Sequence, residues 1–464
     1  MPNQCLLPRV ATCSKYIRVF ILSVFLSALS ISSTLSAQPN IVFILADDQG
    51  WNHHSVAMFE DEASANSAHF STPNIQRIAD AGMRFSSAYS AAPMCNPSRR
   101  SLHVGRSNAQ VSHTGLSARQ QEEALTIGEM MQSSGYRTAH FGKWSPGPSA
   151  AGLDFYNVTD GNFNNGAGNE NELGNPKQIF GLTERAESFI EESVAAEKPF
   201  YMQISHFAPH TATHSLPETL EKWRTRSQSD NPNPEMSAMT EDLDTGVGAI
   251  LDKIQQLGVA DNTYIIYSSD HGQTPGALAN TPLTSGKGTL WEGGIRVPFI
   301  VSGPGIAHNT FSNTRTVSLD LFPTFAELGG FAEPLPEEIE GGSLVPVWLG
   351  SSDEIQRPRE ELVFHFPSGS GQADFQPMST VYLDQYKLVK LYNTNELLLF
   401  NVSEDLGEKN DLASAMPEKT EELHQLLLNY FDDLNVEDVS LGGGGNDGGM
   451  GNMGGMAMAM GMGG

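Results

Sequence analysis

Apolar residues in this chain come in short unbroken runs, separated by longer stretches of helical period. Pro39-Asn40-Ile41-Val42-Phe43-Ile44-Leu45-Ala46 is the first run, and Asp47-Asp48-Gln49-Gly50 ends it. Similar runs cover Tyr136–Phe141, Phe200–Ile204, Thr263–Tyr267 and Val297–Val301. Continuous apolar character, rather than alternation, predicts strands buried on both faces. Helical patterns lie between the runs. Thr72–Ala81 opens on Thr-Pro, and Ala124–Gln132 and Leu182–Val194 come next. Met236–Leu257 then places Val247, Ile250, Leu251 and Ile254 at helical spacing. Alternating strand and helix predicts an α/β fold, a mostly parallel sheet sandwiched by helices. In such sheets sites gather at the carboxyl ends of the strands. Asp47, Asp48, Lys143, His210 and Asp270 all lie beyond predicted strand ends, so they are expected to meet.

The pattern changes near residue 360. Val381–Leu391 and Glu396–Val402 read as a hairpin and Pro417–Leu434 as a closing helix. A smaller C-terminal antiparallel-sheet subdomain is expected over 360–440, after a main domain over 38–359. Residues 160–177 are rich in Asn and Gly and read as a surface loop. Residues 441–464 are low in complexity, with many Gly and six Met, and cannot build a core.

The N-terminus sets the compartment. Arg9, Lys15 and Arg18 precede an apolar stretch, Val19–Leu29, after which small residues lead to Leu35-Ser36-Ala37. This is the order of a cleavable secretory signal over 1–37. The stretch is short for a membrane span, which takes about 20 residues. An exported, periplasmic or secreted protein with no membrane segment after cleavage is expected. The formal charge is −27 for 464 residues. That excludes nucleic acid as a natural partner, which needs a basic face. An anionic small substrate would need a local cluster of cations.

Cleavage would remove Cys5 and Cys13 and leave Cys95 alone. A lone cysteine in an exported protein has no internal disulfide to make. It is either an inert core residue or a piece of chemistry. It sits in Cys95-Asn96-Pro97-Ser98-Arg99, with Arg99 one helical turn on if a helix starts there. Asp47-Asp48 and Ser269-Asp270-His271-Gly272 each come after an apolar strand. Adjacent carboxylates repel unless a cation lies between them, and oxygen-rich sets suit hard divalent ions. His271 softens the set, so Mn²⁺ or Zn²⁺ is also compatible. Lys143 in Gly142-Lys143-Trp144 and Lys287 in Ser285-Gly286-Lys287-Gly288-Thr289 are cations suited to an oxyanion. His210, past Pro209, suits a general acid; His206 reads as structural or pocket-lining. His53, His54, His103, His113 and His365 are weaker candidates for substrate contact.

Together these segments resemble the type I sulfatases of the alkaline phosphatase superfamily. The resemblance runs from about residue 39 to about 435. It includes the segments quoted above with Thr72-Pro73-Asn74, Trp291-Glu292-Gly293-Gly294-Ile295-Arg296-Val297-Pro298, Asp320-Leu321-Phe322-Pro323-Thr324 and Glu408-Lys409-Asn410-Asp411-Leu412. It implies an alkaline-phosphatase-like fold. It also implies that a formylglycine-generating maturation enzyme converts Cys95 to Cα-formylglycine, whose hydrate attacks sulfur. Asp47, Asp48, Asp270 and His271 would hold one Ca²⁺ together with an oxygen of modified Cys95. Arg99 and Lys143 would steady the formylglycine, Lys143 and Lys287 would grip sulfate, and His210 would protonate the leaving alcohol.

Two departures stand out. The family usually reads Gly-Lys-Trp-His, and here that histidine is Ser145. Leu-x-Thr-Gly-Arg is replaced by Leu102-His103-Val104-Gly105-Arg106. The expected function is an exported sulfatase acting on sulfated polysaccharide or oligosaccharide. Two alternatives accompany it. One is a formylglycine-dependent phosphodiesterase or phosphonate hydrolase, with which His271 is compatible. The other is a non-catalytic relative that binds sulfated glycans, suggested by Ser145.

Overall fold

The structure is a computed structural model. It describes residues 38–60, 62, 67–113, 124–144, 155–157, 174–226, 233–275, 280–367 and 376–436, together with Met1. The expected signal segment, Ser145, most of the 160–177 stretch and the Gly/Met-rich tail lie outside the described residues. So does the side chain of His113. Two units separate, Met1–Gln38 and Pro39–Gly464. All three sheets and the candidate site belong to the second.

An eight-stranded sheet forms its centre. Its strands are β1 (Asn40–Ala46), β2 (Gly82–Phe85), β3 (Arg137–Gly142), β4 (Phe155–Asn157), β5 (Phe200–Ser205), β6 (Thr263–Ser269), β7 (Phe299–Ser302) and β8 (Thr310–Ser312). Their spatial order is β4-β3-β5-β1-β6-β7-β2-β8. All pairs are parallel except the two that β7 makes, with β6 and with β2. The mostly parallel α/β sheet expected from the sequence is therefore present, with an antiparallel strand inserted near one edge.

Strand β1 shows why its run is unbroken. Val42, Ile44 and Ala46 enter one apolar layer, and Ile41, Phe43 and Leu45 enter the other. Helices cover both faces, so neither side of the strand can be polar. The first layer receives α1 (Pro73–Asp80), Ile179–Ala195 and Pro234–Gln256; the second receives Ile127–Ser133 and Leu321–Gly329. The predicted helices agree with these to within a turn. Val297–Val301 starts as a strand only at Phe299, because Pro298 has no N–H for the ladder.

A separate four-stranded antiparallel sheet comes later in the chain: β9 (Leu362–Phe366), β10 (Met378–Leu383), β11 (Tyr386–Leu391) and β12 (Glu396–Asn401). The segment Val381–Leu391, read above as one arm of a hairpin, is two strands. Asp384 at φ 50° turns the chain between them. Helix Pro417–Leu434 packs Leu423, Leu427, Tyr430 and Phe431 against this sheet. Within the stretch expected to be loop, Pro176–Gln178 forms a 3₁₀ turn with Lys177 buried.

Candidate active site

Strand ends and one helix start bring the predicted residues together. Asp47 and Asp48 come after β1, Lys143 after β3, and Asp270 and His271 after β6. Helix α2 (Cys95–Val104) begins at Cys95, and Arg99 lies one turn along it. The helix N-terminus presents its unpaired N–H groups and positive dipole end toward the cluster. Asp48 takes φ 62°, a left-handed conformation that Asp tolerates better than most residues. That turn lets its backbone N–H donate to Asp270 Oδ1 at 3.1 Å.

The Cys95 thiol is the focus. Its Sγ is 3.1 Å from His271 Nε2, 3.4 Å from Lys143 Nζ and 3.7 Å from Lys287 Nζ. Asp47 Oδ1 and Asp48 Oδ1 are 3.6 and 3.8 Å from it. Burial pushes this thiol up, and the carboxylates of Asp47 and Asp270 push it further. Unmodified Cys95 is therefore a neutral thiol and a poor nucleophile.

Three carboxylates and three cations interlock around it. Arg99 donates through Nε to Asp270 Oδ2 at 2.8 Å, through Nη2 to Asp47 Oδ1 at 3.2 Å and through Nη1 to the Lys143 carbonyl at 3.2 Å. Lys143 Nζ meets Asp47 Oδ2 at 2.6 Å. Lys287 Nζ donates to both oxygens of Asp48, at 2.8 and 2.7 Å. Burial disfavours the Asp47 carboxylate, but Lys143 and Arg99 outweigh it and hold the group well below the usual range. Burial also works against the ammonium of Lys287, and Asp48 reverses that and holds it above its ordinary value. Arg99, 1% exposed, has its guanidinium committed to neighbours. Its bonds hold the carboxylates of Asp47 and Asp270.

The donor set fits a divalent ion. Asp47, Cys95, Asp270 and His271 offer ligand atoms within 4.8 Å of one another. His271 Nδ1 lies 2.9 Å from the Gly272 carbonyl, which it can only approach as a donor. Its Nε2 lies 3.2 Å from Asp48 Oδ1 and 3.6 Å from Asp270 Oδ1. A proton or a cation between this nitrogen and the carboxylates satisfies both, and the convergence of the acids with an imidazole is what a cation site requires. A hard, oxygen-rich set with one imidazole suits Ca²⁺ and admits Mn²⁺.

His210 is at the rim, 20% exposed, with Nε2 3.7 Å from Asp48 Oδ2. Its Nδ1 lies against the Thr211 carbonyl. The other described histidines named from the sequence are packed internally. His53 stacks on Phe70 and His54 Nδ1 accepts from the Val56 N–H. His103 packs on Trp144 and His140, while His365 bonds Ser379 and meets Phe431. His206 is fully buried in the core. Ser98 has no role in the sequence reading. Its hydroxyl donates to the Asp270 carbonyl at 2.6 Å, pinning helix α2 to the turn after β6. The one available signal is its position, one residue before Arg99 on the same helix.

Known proteins resemble this chain over most of its length. The sulfatase family model matches residues 39–331, and the model for the C-terminal part of N-sulphoglucosamine sulphohydrolase matches 286–436. A sulfatase of Formosa agariphila is 27% identical, over 87% of this chain and 90% of the relative. An ulvan-active sulfatase of the same organism is 25% identical, over 80% and 77%. The crystal structure of Ps i-CgsB in complex with k-i-k-neocarrahexaose superposes with a TM-score of 0.69 at 23% identity, covering 85% of this chain and 92% of that one.

Proposed function

The chain belongs to the sulfatase family and is a sulfate ester hydrolase of alkaline-phosphatase-like fold, and from that premise we propose an exported enzyme acting on sulfated polysaccharide or oligosaccharide. In this reading a maturation enzyme converts Cys95 to Cα-formylglycine, and one Ca²⁺ is held by Asp47, Asp48, Asp270 and His271 with the modified side chain. The carbohydrate class is supported by the ulvan-active relative. Export is supported by the charged, apolar and cleavable order of residues 1–37.

The observation that carries the reading is the charge count around Cys95. Three carboxylates cancel three cations. An anionic sulfate would meet a neutral cluster in a protein of net charge −27. A divalent ion held by Asp47, Asp48, Asp270 and His271 would supply the missing positive charge, and the hydrated aldehyde would offer an oxygen nucleophile in place of a neutral thiol.

The chain's own groups then take distinct tasks. Arg99 holds Asp47 and Asp270 in register, so the carboxylates need no reorganisation during turnover. Lys143 and Lys287, both within 4 Å of the reacting side chain, hold charge on the sulfate oxygens. His210 sits at the open side and delivers a proton to the departing alcohol oxygen. Water balances the reaction, giving alcohol and sulfate.

The test is mass spectrometry of the peptide spanning Cys95 in protein from an exporting host, alongside calcium titration of the same sample. The expected peptide has lost the thiol and gained a carbonyl, and Asp270→Ala lowers calcium binding together with turnover. A plain thiol in active protein would overturn the formylglycine reading. Full activity in Asp270→Ala would overturn the cation site.

A further inference from the structure

Lys287 stands between Gly286 and Gly288, a segment with little conformational preference of its own. Asp48 takes its ammonium at 2.8 and 2.7 Å, and something else must bring the backbone of Lys287 within reach of that carboxylate. Part of the answer is local. The Lys287 N–H donates to the Gln273 carbonyl at 3.0 Å, and the Gly288 N–H donates to the Pro93 carbonyl at 2.9 Å. The rest comes from the C-terminal sheet and the loop after it.

Lys387, on β11, is wholly buried. Its Nζ donates to the Leu290 carbonyl at 2.8 Å, to Glu292 Oε1 at 3.1 Å and to Glu408 Oε1 at 2.7 Å. Three acceptors saturate the three protons of an ammonium. Glu408 Oε2 accepts from the Glu292 N–H at 2.9 Å. Glu292 is itself wholly buried and takes further bonds from Tyr382, Tyr89 and Arg296. On the other side of Lys287, Thr284 Oγ1 donates to the Gly407 carbonyl, one residue before Glu408. Residues 284–292 are thus gripped on both sides of Lys287 by one loop and one strand of the C-terminal sheet.

Such a network is a poor device for stability alone. Burying two carboxylates and two cations carries a desolvation cost, and apolar residues of similar shape are often as stable. What it secures is the position of a backbone. We propose that Glu408 and Lys387 are positioning residues for Lys287, so that the C-terminal sheet completes the active site without touching substrate. The inference rests on the reading that Lys287 holds the sulfate group.

A double-mutant cycle tests it in the full-length matured protein. Glu408→Ala and Thr284→Val loosen the two grips separately; each is made in the parent and in Lys287→Ala. The readouts are kcat/KM for 4-nitrophenyl sulfate and the inhibition constant of inorganic sulfate, measured well below the melting temperature of every variant. Lys287→Ala is expected to lower kcat/KM by about 30-fold or more, as loss of one charge-stabilising donor does. Glu408→Ala is expected to cost about tenfold and Thr284→Val about threefold in the parent, with sulfate inhibition weakened in step. In the Lys287→Ala background both effects should shrink to below about twofold, since residues acting through one group do not add.

Equal losses in both backgrounds would overturn the positioning role while leaving the Lys287 reading intact. No loss in Lys287→Ala itself would overturn the reading of Lys287, and this inference with it. Thr284→Val, nearly isosteric, keeps the test decisive if Glu408→Ala does not fold.

Discussion

At the scale of single residues, His206 is a titratable group held in the core by its backbone, whose N–H donates to the Leu45 carbonyl. It is fully buried, and neither ring nitrogen makes a hydrogen bond among the described residues. Burial alone drives its pKa down to about 3. Above pH 6.5 the ring is neutral whether the chain is folded or unfolded, and no penalty arises. Below that, the unfolded chain takes up a proton that the folded one refuses, so stability falls as pH drops from about 6.5 toward 3. Replacing His206 by Leu removes the titration. Relative to the parent, the variant should gain about 2 kcal/mol more at pH 5 than at pH 8. Urea unfolding at the two pH values measures this, and an equal difference at both would show that His206 is protonated in the fold. Sequence position puts this histidine at a strand end without revealing its isolation. That depends on Phe207 and Ala208 entering the apolar layer beside it.

Elements are legible in the sequence where their residues act locally and illegible where the partner is distant. Thr72-Pro73 predicts helix α1, yet the Thr72 side chain does not cap it. The cap comes from Asp244, 170 residues after Asn74, on the helix Pro234–Gln256. Its carboxylate accepts from the N–H groups of Asn74 and Ile75, at 3.0 and 2.8 Å, and from the Asn74 side chain at 2.9 Å. No local pattern announces such a cap. Strand β2 escapes a sequence reading for a similar reason. Only four residues long, it owes its place to β7 and β8 on either side. The grouping of Asp47, Asp48, Lys143, Asp270 and His271 is legible because they come after strands, and Cys95 opens a helix, whereas nothing local places Lys287. Gly142 illustrates how closely this is built. It lies at φ 89°, and a Cβ there would come within 2.1 Å of the Ser205 carbonyl, so Lys143 needs a glycine before it. For the cap, Asp244→Ala should cost about 2–3 kcal/mol, since several buried donors lose their acceptor at once. Asp244→Asn, which keeps one carbonyl oxygen, should cost less. Chemical denaturation of the two variants compares them. Equal costs would mean that packing, not the hydrogen bonds, is what Asp244 supplies.

At the scale of the whole molecule, the electrostatics of approach and of binding have opposite signs. The chain carries −27 overall, and its sulfate ester substrates are anions. The far field therefore repels what the near field must hold. These two contributions differ in range, so salt separates them. At about 10 mM ionic strength the Debye length is about 30 Å, and a polyanionic oligosaccharide feels the whole surface as it arrives. At about 150 mM it is about 8 Å, and the distant carboxylates are screened. The cations within 4 Å of Cys95, Lys143 buried and Lys287 half-buried, are screened much less. Raising salt over this range should therefore increase kcat/KM on a multiply sulfated oligosaccharide, by about two- to fivefold. A monosulfated aryl ester, with less charge to repel, should respond more weakly. An enzyme steered by a basic surface would behave in the reverse way, losing rate as salt rises. Steady-state kinetics at fixed pH and fixed free calcium distinguish the two. A monotonic fall for the oligosaccharide would mean that a local positive field reaches far enough to cancel the acidic surface. A rise would place recognition within the cluster around Cys95, where three carboxylates balance three cations and the divalent ion proposed above would leave net positive charge only at the point of reaction.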